Sequence, residues 1–229
     1  SVRYQSGYVQ EFDLDVFDHI KAVDYGDAEI PPEVMNDQSP ENILRAQAAV
    51  VEKVGHALDA GAVPVVIGQN SPCGSYAIAK PIAERIEGAV GCVSLDTHWD
   101  VQPLDHLTGD PRIAGSGSWK AKMYEWHDNM DPRHLVEIGE RGLLERKDLV
   151  RKYLREGARF ISTWELRTSL GIEGLVKELD RAYDGTDGVY AHFDMDVMGG
   201  AGPAPGDILG EAAEPIAMTD YEIIRIAHE

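Results

Sequence analysis

The chain has 229 residues, of which 43% are hydrophobic and 27% charged, with a formal net charge of −19. That length fits one α/β domain better than two small ones, and the balance is that of a globular protein. The acidity argues against nucleic acid and anionic membrane as partners and favours cationic small molecules and divalent metals. No apolar run approaches the ~18 residues of a membrane span, and Ser1-Val2-Arg3-Tyr4-Gln5 does not open a signal-peptide pattern. Cys73 and Cys92 make no disulfide framework, so a cytoplasmic location is expected.

A βα rhythm runs from about residue 39. Ser39-Pro40-Glu41 reads as N-cap, first helical residue and an acid at the positive dipole end. Ile43, Leu44, Gln47, Val50, Val51, Val54 and Leu58 continue at helical spacing, with Gln47 the one polar member. Val63–Ile67 is continuously apolar, the pattern of a strand buried on both faces. Next come a helix from Ser75 to about Glu87, a strand at Val90–Leu95, a short strand at Leu135–Ile138 and a helix at about Leu143–Glu156. A strand at Arg159–Ser162, a helix at Gly171–Tyr183 and a strand at Val189–Phe193 follow. Residues 199–215 form a long Gly/Pro-rich loop, and Thr219-Asp220-Tyr221-Glu222 is a capping box for a last helix. The alternation predicts an α/β domain with a mainly parallel sheet covered by helices on both faces, a three-layer α-β-α arrangement over residues 1–229.

Two motifs carry chemistry. Asp96-Thr97-His98-Trp99-Asp100 follows the strand Val90–Leu95, and Asp194-Met195-Asp196 follows the strand ending at Phe193. Ligands bind beyond the carboxyl ends of parallel strands. Carboxylates there need cations or hydrogen bonds to offset desolvation. Four carboxylates and an imidazole supply mixed O/N donors for manganese, zinc or nickel.

This pair of motifs resembles the D-A-H-x-D and S-x-D-x-D signatures of the ureohydrolase family, the arginases, agmatinases and related amidine hydrolases. His192 stands where the family has Ser. Val23–Asp27, Val65–Gly68, Glu137–Gly142 and Thr219–Glu222 also fall in the family's order, so the similarity spans nearly the whole chain. By the same alignment the chain starts after the family's first strand and stops before its last. The resemblance implies two divalent ions, Mn2+ or Ni2+. One would be held by Asp96, Asp100, Asp194 and a further ligand, the other by Asp96, His98, Asp194 and Asp196. It implies hydrolysis of a small guanidinium-like substrate to urea, or a substituted urea, and an amine. It also implies an oligomer, with copies of itself or with other ureohydrolase subunits.

The sequence departs from that pattern in three places. The family's Gly-Gly-Asp-His segment reads Gly68-Gln69-Asn70-Ser71-Pro72-Cys73 here, and Cys73 lies nearest the position of the metal-binding His. It is either a thiolate ligand or a small packed residue. The family's proton-shuttling Ser-His-Gly falls at Ala114-Gly115-Ser116-Gly117. His106, earlier in the same loop, is either a proton shuttle or a solvated loop histidine; with Asp100 it is a candidate catalytic group, and Ser116 is a candidate pocket residue. The family's last Asp-Pro after the second motif is Gly199-Gly200. Trp99 either offers a π-face to the substrate or packs beneath the loop. These departures leave three readings open: an amidine hydrolase with an altered centre, a noncatalytic subunit paired with an active paralogue, or a metal-binding or structural protein without hydrolysis.

Overall fold

The computed structural model describes residues 7–68, 74–105, 108–140, 146–199 and 217–228. A small antiparallel hairpin, β1 (Tyr8–Val9) with β2 (Leu14–Asp15), precedes the main layers. Helices α1 (Pro40–Asp59) and α2 (Ser75–Arg85) lead into β3 (Val90–Leu95), followed by α3 (Trp119–Trp126), β4 (Met130–Glu140) and α4 (Lys147–Arg155). Next come β5 (Arg159–Ser162), a single turn α5 (Thr163–Glu165) that runs into a π turn at Leu166–Leu170, and α6 (Gly171–Tyr183). The described chain ends with β6 (Gly188–Phe193) and α7 (Asp220–Ala227). No helix among the described residues is long and apolar enough to cross a membrane.

Strands β5, β4, β3 and β6 form one parallel sheet in that order. The chain moves outward from β3 through β4 to β5, then returns to the other side of β3 as β6. That reversal creates a switch point between β3 and β6, at the carboxyl ends of the two strands. Alternate side chains go to opposite faces. Val90, Cys92, Leu135, Phe160 and Tyr190 pack with Tyr76, Ile82, Trp119, Met123 and Tyr153 from α2, α3 and α4. Val93, Val136, Ile138 and Ile161 pack on the other face with Leu175, Leu179, Ile223 and Ile226 from α6 and α7. The expected α/β class and parallel sheet are therefore present.

Local readings hold with instructive differences. Gln47, the polar member of α1's apolar stripe, is buried because its Nε2 donates to the Ala114 carbonyl at 3.0 Å. Ser39 sits at the N-cap position but makes no cap hydrogen bond. Its hydroxyl donates instead to Asp37 at 3.3 Å. Thr219 and Glu222 form the reciprocal capping box read from the sequence. Strand β4 is longer than the expected Leu135–Ile138.

One expectation is overturned. Val63–Ile67 is not a strand; Val63, Val65 and Ile67 are 89%, 86% and 71% exposed. An apolar run forms a two-sided buried strand only with a neighbour on each edge, and β3 is the only partner of β6 among the described residues. The other edge of β6 carries no paired strand among the described residues, and Val63–Ile67 does not pair there.

Candidate metal centre

The site is built on register. Ser94 pairs with Glu137 of β4 on one side and with His192 of β6 on the other. Glu137, Ser94 and His192 thus form a polar row across the end of the sheet, all three on the face that α3 covers, and all buried. Beyond this row the ladder makes its last bonds: Asp96 N–H donates to the Ile138 carbonyl at 3.0 Å, and Asp194 N–H to the Leu95 carbonyl at 2.8 Å. Asp96 and Asp194 therefore leave adjoining strands at one level.

The loops fold around their own carboxylates. Asp96 Oδ1 accepts from His98 N–H at 2.7 Å, and Asp194 Oδ1 accepts from Asp196 N–H at 3.1 Å, turns that short acidic side chains favour. Thr97 ties the two loops together, donating from its N–H to Asp196 Oδ1 and from its hydroxyl to the Asp196 carbonyl. Gly139 permits the close approach: its φ is +104°, and a Cβ there would lie 2.4 Å from Val197 Cγ2. Asp100 is held at φ +53°, a left-handed conformation uncommon outside glycine. Its Oδ2 accepts from Trp119 Nε1 at 2.7 Å.

Two groups of donors result. Ligand atoms of Asp96, His98 and Asp196 lie within 4.8 Å of one another, and so do those of Asp96, His192 and Asp194. His98 Nδ1 is 3.0 Å from Asp196 Oδ2 and 3.8 Å from Asp96 Oδ1. Asp100, the other carboxylate of the first motif, belongs to neither group. Trp99 is buried and packs edge-on against Phe160, so packing beneath the loop is its observed arrangement. Ser116 is half-buried at the start of a 3-10 turn, Ser116–Ser118, that leads into α3. Cys73 and His106 lie outside the described residues.

A residue not singled out from the sequence completes the centre. Lys120, on the first turn of α3, is 0% exposed; its Nζ lies 3.0 Å from Glu137 Oε2 and 3.4 Å from Asp96 Oδ2. Glu137 in the apolar stretch Leu135–Ile138 was the available signal, because a buried acid in a strand requires a cation. Nothing in the helical spacing of α3 marks Lys120 itself. His192 is held by hydroxyls on both sides, Nε2 3.0 Å from Ser75 Oγ and Nδ1 3.1 Å from Ser94 Oγ.

The electrostatics are those of a cluster in need of positive charge. Burial, then the Asp100 charge, pushes the Asp96 carboxyl well above its ordinary range. Burial lifts Asp100 to about 6, against the pull of Lys120 and Trp119, and lifts Glu137 to about 8 against Lys120. Burial opposes charge on His98, but the Asp196 hydrogen bond and the surrounding carboxylates outweigh it and raise the imidazole to about 9. Burial opposes charge on Lys120 too, and Glu137, Asp96 and Asp100 hold its ammonium ionised. Burial and Lys120 keep His192 neutral. Carboxylates with adjacent imidazoles suit a borderline or hard divalent ion, so the donor set fits a metal at the His98 side.

Comparison with known proteins agrees with this geometry. The family model described as "Arginase family" matches residues 1–206. The formimidoylglutamase of Halobacterium salinarum is 29% identical over 192 residues, 80% of this chain and 58% of that protein. The chain thus spans somewhat more than half the length of this curated relative. Among solved structures, the formimidoylglutamase of Bacillus subtilis superposes with a TM-score of 0.72 at 19% identity, over 97% of this chain and 64% of that one. The agmatine ureohydrolase of Thermoplasma volcanium gives 0.68 at 20% identity, over 98% and 66%. At these identities the structures establish the shared fold, and the family match over most of the sequence establishes descent: this chain belongs to the arginase family.

Proposed function

We propose that the chain is a metal-dependent hydrolase of a C–N bond in a small, linear guanidino or amidino compound. The observation that carries this reading is the convergence of Asp96, His98 and Asp196 at the switch point between β3 and β6. A divalent ion bound there supplies ionised water at neutral pH. Asp96 and Asp196 would hold it with His98, whose ring would give up its proton on binding. The remaining carboxylates would give the site a negative potential that draws in a protonated amidine and orients its carbon. Asp100, fixed by the Trp119 N–H, would position the cationic substrate or accept a proton from it. His106 would shuttle protons to the departing amine, with Ser116 and Trp99 near the pocket wall. Cys73 would be a further ligand.

The relatives' names support the amidine class and differ in the group removed, so the product is urea from a guanidino compound or the corresponding amide from a formimidoyl one. The test is turnover by the full Mn2+- or Ni2+-loaded chain on agmatine, arginine, guanidinobutyrate and formimidoylglutamate, following urea from the first three and formamide from the last. Activity on at least one, abolished in Asp96→Asn, is expected. No turnover on any of them overturns the reading. A second reading, a noncatalytic subunit of an assembly with an active paralogue, is favoured by Lys120 in the centre and by the Trp119 hold on Asp100. Under it, the isolated chain is inactive and co-purifies with a second ureohydrolase chain.

A further inference from the structure

We propose that Lys120 replaces one of two divalent ions, so that this centre takes a single metal ion, at the His98 side. The inference rests on the reading above only in requiring that these carboxylates bind metal at all.

The two donor groups share Asp96, and its two oxygens face different surroundings. Oδ1 is on the side of His98, whose N–H it accepts and whose Nδ1 lies 3.8 Å away. Oδ2 faces Lys120 Nζ at 3.4 Å and His192 Nδ1 at 4.0 Å. An ion on the Oδ2 side would share its carboxylate oxygen with an ammonium that already neutralises it. Two cations there would repel strongly in a desolvated setting.

Lys120 is closely held. Its side chain is wholly buried, its ammonium is anchored to Glu137 at 3.0 Å, and Nζ lies 4.7 Å from the centre of the Trp119 ring. Two of the other described donors on that side, His192 and Asp100, are also committed, while Asp194 is partly exposed. Both ring nitrogens of His192 lie at hydrogen-bonding distance from serine hydroxyls, Ser75 at 3.0 Å and Ser94 at 3.1 Å. Ligation through either would displace one of them. Asp100 spends Oδ2 on the Trp119 indole. On the His98 side, by contrast, the His98 and Asp196 side chains are 17% and 16% exposed, open to an ion arriving from solvent. One half of the centre is a metal site, and the other half is an ion pair with the charge built in.

Metal content and electron paramagnetic resonance of the full chain test this directly. After Mn2+ loading and desalting, one equivalent per chain is expected, with the hyperfine pattern of an isolated ion. Lys120→Met, which keeps the length and removes the charge, is expected to take up a second equivalent and give the spectrum of an exchange-coupled pair. If that variant does not fold, Lys120→Met with Glu137→Gln removes both charges and serves the same purpose. Two equivalents and a coupled pair in the unaltered protein overturn the inference and leave the proposed hydrolysis standing. A folded variant still limited to one ion overturns it as well. No bound metal in any form overturns both.

Discussion

Lys120 Nζ lies 3.0 Å from Glu137 Oε2, with both side chains at 0% exposure. A buried ion pair contributes little net stability, because the attraction must first offset two desolvations. Removing one partner is another matter, since it strands the other charge.

Lys120→Met is therefore expected to destabilise the metal-free protein by about 3 kcal/mol, the usual scale for breaking a buried pair. Lys120→Met/Glu137→Gln is expected to recover most of that loss, giving a non-additive double-mutant cycle. Urea unfolding of the four proteins measures it. Additive losses would show that the pair is not coupled.

In metal-free protein the stabilisation from Asp100 and His98 is expected to fall as pH rises from about 4 to about 9, while His192, held well below 6.5 by burial, contributes in the opposite sense below 6.5. Asp100 is raised from 3.8 to about 6, chiefly by burial. His98 is raised from 6.5 to about 9 by its carboxylate neighbours, against burial. Asp100 and His98 bind protons more tightly when folded. Their stabilisation is complete below the unfolded values and disappears as pH passes the folded ones. Bound metal requires deprotonated ligands, so added Mn2+ is expected to reverse the trend. Unfolding midpoints at pH 5, 7 and 9, with chelator and then with Mn2+, check both halves.

Gly139→Ala is expected to destabilise by about 1–3 kcal/mol, combining a positive φ with a Cβ forced against Val197. It should also weaken Mn2+ binding, because the Asp96 carbonyl lies 3.2 Å from that Cβ. Titration calorimetry alongside thermal unfolding separates the two effects. Unchanged metal affinity would show that the loop bearing Asp96 absorbs the shift.

Thr219→Ala is expected to cost about 1 kcal/mol. Thr219 Oγ1 accepts from Glu222 N–H at 3.2 Å, and Glu222 Oε2 accepts from Thr219 N–H at 2.7 Å. Helix α7 carries Ile223 and Ile226 onto the sheet face opposite the metal centre. Chemical denaturation reads the loss, and metal content should not change.

The sheet and the acidic motifs were legible because they rest on local signals: apolar runs with strand spacing, caps, and carboxylates placed directly after strands. Gln47 stood out as a polar residue in an apolar stripe, and its buried bond to Ala114 explains it. Lys120 was not legible, because a lysine on an amphipathic helix normally faces water. Its inward turn is visible only once α3 lies over Glu137 and Asp96. Val63–Ile67 was misread for the complementary reason. Composition gives a segment's affinity for a sheet but not whether the chain brings it to a sheet edge.

The row of Glu137, Ser94 and His192 lies one step behind the ligands, and each of its members comes from a different strand. Sliding any one strand by a residue would turn its member to the opposite face and insert an apolar side chain in its place. The chemistry at the rim therefore acts as a lock on the alignment of the sheet, and a chain that folds with the wrong alignment forfeits its metal along with its core.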